Sequence, residues 1–385
     1  MEVWKKFRKD PLALAGLFII FLFVFLAVFA PLIANEKPLL LYVGGHLSSP
    51  AFSALFTPES PELFVEKSWN FLLLYLPALL LLFAGRNILP EKGRKKILLF
   101  CALLLFLLLA LPFALSGSRV DKTPWRERTA ELKRPDFALY AFVPYGPFEM
   151  TASPYEKSSA KHLFGTDQTG RDVFARMLYG ARVSLSVGFC ATLLSLFLGT
   201  LIGLLCGYCG GKTDLIMMRF VEIVICFPTF LLLLILMTIL LDYGSRQSIL
   251  LVILVLGLSS WTGLARLVRG ETLKQRKLPY IQSCECMGLP VHKILFKHLL
   301  PNVSGPIFVT FTFEVAGAVL AESSLSFLGF GVQDPTSSWG ELLRQAYPDP
   351  LTYSHLMFFP GLAIFLTVCA FNFAGEGLRK ALGGK

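Results

Sequence analysis

The triplet Gly211-Lys212-Thr213 is where nucleotide chemistry would first be sought in this chain. A loop that cradles phosphates needs another glycine five residues before the second one, so that its backbone N–H groups can converge. Cys206 holds that position, and a long apolar run precedes the triplet where a strand is required. The triplet is therefore expected to be a tight turn. No other Gly-Lys-Ser/Thr occurs, so no ATPase site is expected in this chain. Cys206 and Cys209 form a lone Cys-x-x-Cys. A tetrahedral zinc site needs four ligands, and neither a second cysteine pair nor a histidine pair stands at ligand spacing. Both cysteines are expected to act as small buried hydrophobes. Cys284 and Cys286 point to different faces of a helix, and so do His292 and His298. No Ser/His/Asp set or paired-carboxylate arrangement stands out, so neither catalytic residues nor a metal site is expected.

Two carboxylates matter more. Glu314 and Glu322 lie eight residues apart within an apolar run at 303–329, on one helix face. Ionisable groups inside a membrane span mark polar pathways or proton relays often enough to make both candidates for lining a path. Snorkelling, or pairing with a neighbouring arginine, is the plainer expectation. Asp214 and Glu222 fall at or near the inner end of a span.

The surroundings of these residues are apolar almost throughout. Of 385 residues 55% are hydrophobic and only 16% charged, with a mean hydropathy of +0.63. Such values belong to polytopic membrane proteins. Apolar runs of about 20 residues match the roughly 30 Å hydrocarbon core as helices, and their lack of alternation argues against a barrel. Eight spans are expected, near 11–33, 69–85, 97–115, 182–208, 215–241, 247–267, 303–329 and 356–376. The first follows a basic start but is too long for an ordinary signal core, so an uncleaved anchor is expected.

The net charge of +10 fits basic residues held in short inner segments better than nucleic-acid binding. With the N-terminus inside, those segments hold Lys5–Lys9, Arg86–Lys96, Lys212, Arg219 and a group from Arg266 to Lys297. The short outer segments hold little beyond Lys37, Lys67, Arg246 and Arg344. The long loop 116–178 is basic yet falls outside, which long translocated loops tolerate. Both termini are then cytoplasmic, and the eight cysteines fall in spans or on the inner side, as thiols do.

One polar element between spans is built unlike a plain turn. In YIQSCECMGLPVHKILFKHLLPN, Pro279 suits a first helical turn, Tyr280 to Met287 gives about two turns, and Gly288 is a natural left-handed stop. After Leu289-Pro290, Val291 to Leu300 can form a second helix, and Pro301 starts the next span. A surface helix with snorkelling lysines explains neither the Gly-Leu-Pro break nor the helix before it. A rigid knob to be gripped by another protein explains both.

This stretch resembles the cytoplasmic coupling loop of binding-protein-dependent ABC importer permeases. Gly288 and Ile294, His298, Leu300 and Pro301 fit its second half, while Gln282, Ser283, Cys284 and Glu285 replace the usual glutamate, two alanines and basic residue. HLFGTDQTGRDVFARMLYGARVSLSVG, GYCGGKTDLIMMRFVEIVICFPTF, LAESSLSFLGFGVQDPTSSWGELL and FFPGLAIFLTVCAFNFAGEGLRKAL are similar to the peptide/nickel branch, and within it to the C-type permease of oligopeptide and dipeptide importers.

The resemblance implies an all-α polytopic membrane protein, a type I ABC importer transmembrane domain of about eight helices: six family-like and an inserted hairpin. It divides the chain into a basic segment and first span (1–35), an outer segment (36–68), the inserted hairpin (69–115), an outer polar loop (116–178) and the permease core (179–385) with its coupling loop (268–302). It further implies a bacterial inner-membrane subunit for short peptides with a second permease subunit, two ATPase subunits and an extracytoplasmic peptide-binding protein as partners. ATP and Mg would sit on the ATPases, and the loop from Tyr280 to Pro301 would face them. The same machinery could carry nickel or a peptide antibiotic. An ion-coupled secondary transporter is the reading from another class.

Overall fold

In the computed structural model, residues 2–85, 94–117, 123–130, 132, 136–242 and 249–383 are described. Arg86, Lys92 and Arg246, used above to orient the spans, lie outside them. In chain order the helices are α1 (Glu2–Phe7), α2 (Pro11–Ile33), α3 (Pro50–Ala54), α4 (Leu63–Ala84), α5 (Arg94–Leu115), α6 (Trp125–Ala130), α7 (Val173–Cys209), α8 (Gly211–Ile225), α9 (Thr229–Asp242) and α10 (Ile249–Arg276). They continue with α11 (Pro279–Cys286), α12 (Val291–Lys293), α13 (Leu300–Phe327), α14 (Trp339–Gln345) and α15 (Ser354–Gly383).

Among the described residues seven helices are long and apolar enough to cross a membrane, and α8 with α9 would make an eighth. That eighth span was expected to run unbroken over 215–241. It bends instead by 81° between Ile225 and Thr229. Pro228 explains the break: it has no N–H to donate to the preceding turn, and its ring drives the residue before it out of helical geometry.

The bundle is organised on α7, whose most extensive partner is α10. Lipid tails are as apolar as leucine, so helices in a membrane gain little from burying side chains and much from close backbone approach. Gly199, Gly203 and Gly207 supply that approach at four-residue spacing. A Cβ on Gly203 would sit 2.7 Å from the Ala265 carbonyl oxygen, and one on Gly207 2.6 Å from Thr272 Cβ. On other faces α7 meets α13 and α2, and α15 packs against α2 and α13.

Side-chain contacts fix which ends of the helices lie together. Lys380 Nζ reaches Asp10 at 2.9 Å, and Leu382 lies beside Gly305, so both terminal helices share an end with the start of α13. At the opposite end, Ala34 bridges to Val143, His355 meets the Thr166 carbonyl, and the Ile249 N–H donates to Glu62. Lys67, near the start of α4, donates to the Phe113 carbonyl at 2.9 Å, so α4 and α5 form a hairpin that leaves and returns at that far end. The segments before and after the hairpin, 36–68 and 116–178, therefore lie on one side.

These two segments were expected as an outer segment and a separate outer polar loop. They fold together: β1 (Leu40–Val43) pairs antiparallel with β2 (His46–Ser48) and with β3 (Phe137–Leu139), in the order β2-β1-β3. The all-α expectation thus gains a small sheet. Strands of three or four residues are too short for alternation to announce them. The core helix α7 also starts at Val173, nine residues before the expected span, because Asp172 caps it by accepting from the Ala175 N–H at 2.8 Å.

The inserted hairpin is fastened to the core by one guanidinium. Arg182, fully buried on α7, donates from Nε to the Ala27 carbonyl at 2.7 Å and from Nη2 to the Val28 carbonyl at 3.2 Å. Pro31 has no N–H to offer Ala27, so the arginine fills a vacancy that the sequence of α2 creates. Nη1 donates to Glu66 at 2.5 Å and to Asn70 at 2.8 Å, both on α4. Trp69 of the same helix donates to the Arg182 carbonyl and to Ser186. Removing one partner of a buried ion pair costs roughly 3–5 kcal/mol, because the other charge is stranded. Arg182→Leu is accordingly expected to lower the thermal midpoint of the purified protein sharply, and Glu66→Leu combined with it to restore part of the loss. Additive single effects in this double-mutant cycle would refute the pairing.

Candidate functional site

The segment predicted to be gripped stands at the end of the bundle that also holds the termini. Pro279 opens α11 at its first turn, and Met287 caps it. Gly288 follows with φ of +69°. The Leu289 N–H donates to the Cys284 carbonyl at 3.1 Å and the Gly288 N–H to Glu285 at 2.9 Å. This pair of bonds is the Schellman arrangement, which closes a helix through a left-handed residue. Pro290 then redirects the chain into α12.

The second helix was expected to end before the span. It does not: α12 passes through a π-helical turn, Ile294–Leu299, directly into α13. Pro301 has no N–H for the Lys297 carbonyl and its ring would crowd that group. A wider turn relieves the crowding, and the Leu300 N–H bonds back to Leu295. The run from Val291 to Phe327 is one helical rod of 37 residues.

The segment has two faces. Ile281, Cys284, Ile294, Leu295 and Leu299 are buried against Leu204 and Tyr208 of α7 and Leu264 and Val268 of α10. Gln282, Ser283, Glu285, Cys286, Gly288, His292, Lys293 and Lys297 are exposed. With them stand Met287, Val291 and Phe296, 68%, 48% and 54% exposed. Tyr280 is half-buried and donates to Gln275 at 3.0 Å. His298 and Leu300 are half-buried, and Pro301 is exposed. Two of the four departures from the family pattern find partners inside the chain: Gln282 reaches the Lys277 carbonyl at 3.4 Å, and Glu285 neighbours the Tyr208 hydroxyl. Below them Arg269 forms a two-pronged ion pair with Asp214, which ties α10 to the start of α8.

The two glutamates of α13 part company. Glu322 is fully buried, accepting from Ser184 at 3.0 Å, Ser323 at 3.4 Å and Ser326 at 2.8 Å. Serine hydroxyls, and not the arginine expected as partner, surround it. Glu314 accepts from Ser195 at 3.2 Å and lines an open cavity of about 160 Å³ between α7, α10 and α13.

Two family profiles match the sequence. One, described as the binding-protein-dependent transport system inner membrane component, covers residues 199–385; the other, the N-terminal transmembrane domain of oligopeptide transport permease C, covers residues 1–44. The oligopeptide transport system permease protein OppC of Haemophilus influenzae is 42% identical over 236 residues, which are 61% of this chain and 74% of that protein. The dipeptide transport system permease protein DppC of Bacillus subtilis is 40% identical over 256 residues, 64% of this chain and 78% of its own. The glutathione transport system permease protein GsiD of Pectobacterium atrosepticum is 37% identical over 282 residues, 69% and 92% respectively. The chain belongs to the binding-protein-dependent permease family. It is a non-catalytic, multi-span permease subunit of an ABC importer of the inner membrane.

In this permease the opposite end of the bundle holds a charged clasp that the sequence reading passed over. Arg171 donates from Nε to Asp167 at 2.7 Å and also pairs with Asp334. Arg176 lies 3.2 Å from Asp167 and 2.7 Å from Glu341. Asp167 further accepts from the N–H groups of Thr169 and Arg171. Gln345 donates to Glu341 at 2.6 Å and accepts from the Gln168 N–H. The start of α7, the loop before it and α14 are thus one charged unit. The signal was present, in charges crowded at 167–176 and returning at Asp334 and Glu341, but partners 165 residues apart cannot be paired from spacing.

Burial alone would raise the Asp167 carboxyl, but Arg176, Arg171 and the two N–H donors outweigh it and hold the group below its ordinary value of 3.8. A carboxyl depressed in the native state stabilises fully above its unfolded value, and that stability is lost as pH falls through the native value. Asp167→Asn is therefore expected to lower thermal stability by a constant amount from neutral pH to about pH 5, with the difference from wild type shrinking only below 3.8. A difference that vanished near neutral pH would contradict the clasp.

Proposed function

We propose that this permease moves short peptides into the cell as one half of a transmembrane pathway, driven by ATP hydrolysed elsewhere. A second permease subunit would complete the path, two ATPase subunits would bind ATP with Mg, and an extracytoplasmic binding protein would deliver the peptide. The names of its relatives, which carry oligopeptides, dipeptides and glutathione, support a peptide cargo. In this reading both termini and the segment 279–302 face the cytoplasm, while the sheet of β1–β3 and the clasp around Asp167 face outward.

The observation that carries the coupling assignment is the exposed, rigidly closed segment itself. Within this short segment Met287, Val291 and Phe296 are exposed together with the charged Glu285, Lys293 and Lys297. Exposed large apolar side chains mixed with charges are the composition of a surface that seats a partner. On ATP binding the ATPases would close and displace this knob. The rod from Val291 to Phe327 would carry the displacement into the membrane, shifting access from one side to the other.

Gly288 offers a direct test. A Cβ there meets nothing within 4 Å, so only its φ of +69° resists substitution. A β-branched residue in that conformation costs roughly 1–3 kcal/mol. Gly288→Val is expected to assemble in the membrane yet lose peptide uptake while ATP hydrolysis continues, whereas Gly288→Asn, which tolerates left-handed backbone, keeps most uptake. Full transport by the valine variant would sink the coupling role. Orientation has its own test at Phe142, which is 77% exposed. In a cysteine-free background, Phe142→Cys should react with an impermeant maleimide from outside intact cells. Reaction only after permeabilisation would invert the topology.

A further inference from the structure

Within the reading of this chain as a peptide permease, we propose that Glu314 receives the free α-ammonium group of the peptide as it passes through the membrane. Glu314 lies in the middle of the α13 span, and among the described residues it has no ion-pair partner. Its one side-chain hydrogen bond, from Ser195, leaves the second carboxylate oxygen without a donor. An ionisable side chain held in this way within a span is costly to bury. Such a cost is tolerated where a cation arrives in the course of function.

The cavity is built for one. Thr192, Ser195 and Ser260 line it beside Glu314, with Leu256, Ala191 and Ala318 as apolar walls. Thr192 donates its proton to the Gly188 carbonyl and Ser195 donates its to Glu314, so each hydroxyl oxygen keeps lone-pair capacity to accept. An ammonium group has three N–H donors. One carboxylate oxygen and two hydroxyl oxygens match them. Gly317, one turn beyond Glu314, is exposed, and a Cβ there would meet nothing within 4 Å. The cavity therefore opens outward from this subunit. Glu322, two turns away, illustrates the contrast: three serines donate to it, and it is not among the residues lining this cavity.

The chemistry suits a carrier of varied peptides. Side chains differ from one peptide to the next, but every unblocked peptide carries an α-ammonium, so a single carboxylate serves them all. A lysine side chain presents the same group and is the other source to be separated.

The test uses the whole complex, both permeases, the ATPases and the binding protein, in proteoliposomes. Uptake is measured for one peptide with a free amino terminus, its N-acetylated form, and an N-acetylated form carrying lysine. Each rate is normalised to occupancy of the binding protein. In wild type the free peptide is expected to outrun the acetylated one. Loss of a charge-assisted contact corresponds to roughly a tenfold effect or more, so Glu314→Gln should lower that ratio about tenfold toward unity, with Glu314→Asp recovering part. A ratio unchanged by Glu314→Gln, or an equal fall in all three peptides, would assign Glu314 a structural role and overturn the inference. So would loss of co-purification with the second permease. Rescue of the acetylated peptide by lysine would shift the contact from the terminus to the side chain. Failure of wild type to import any peptide would instead overturn the peptide reading itself.

Discussion

A guanidinium buried in an apolar bundle must have its donors met by protein, because no water is at hand to meet them. Arg182 answers that demand with acceptors from two helices, the Ala27 and Val28 carbonyls of α2 and the Glu66 and Asn70 side chains of α4. The position of the inserted hairpin depends on it. Without the arginine, Pro31 would leave a carbonyl unfilled in α2, and α4 would meet the core through Trp69 and apolar contact. With it, the hairpin of α4 and α5 becomes part of the same interior. The segments that flank the hairpin lie on one side and pair as β1 with β3.

The bundle is stiff at both ends for different reasons. At the far end, the clasp of Asp167, Arg171, Arg176, Asp334 and Glu341 holds the start of α7 to α14 by charge, in a buried setting where salt screens it little. At the end bearing the termini, the segment 279–302 rests on apolar packing against α7 and α10, with the left-handed turn at Gly288 between its two helices. Between them runs α13, continuous from Val291 through the π-turn. A continuous rod transmits a push along its length, and Glu314, a carboxylate lining a cavity between α7, α10 and α13, lies along that rod. Displacement of the segment would reach the cavity directly, which is the connection an ATP-driven change of access requires.

Much of this was readable from order and chemistry alone. The apolar runs marked the spans to within a few residues for α2 and α5, because a run of Leu, Phe and Ile in lipid has only the helix open to it. The helix start at Pro279 and the left-handed turn at Gly288 were legible residue by residue, since both act locally and need no distant partner. The bend at Pro228 was overlooked although its cause is equally local; hydropathy alone hides it, because both halves are apolar. The separate second helix expected after Pro290 merged into α13, as the π-turn let the chain pass Pro301 without stopping.

What composition and spacing determined was the class of molecule, a polytopic helical protein, and the local build of the segment after Pro279. Those features arise from interactions within a few residues or with the solvent, and sequence records both. Tertiary structure alone decided which polar groups meet. Arg182 and Glu66 are 116 residues apart and Arg176 and Glu341 165, and only the packed helices bring them together. The same packing separated two glutamates that sequence placed on one face. Glu322 was enclosed by serines, and Glu314 was left at an open cavity, because Ser184 and Ser326 lie against the first while Ser195 alone reaches the second.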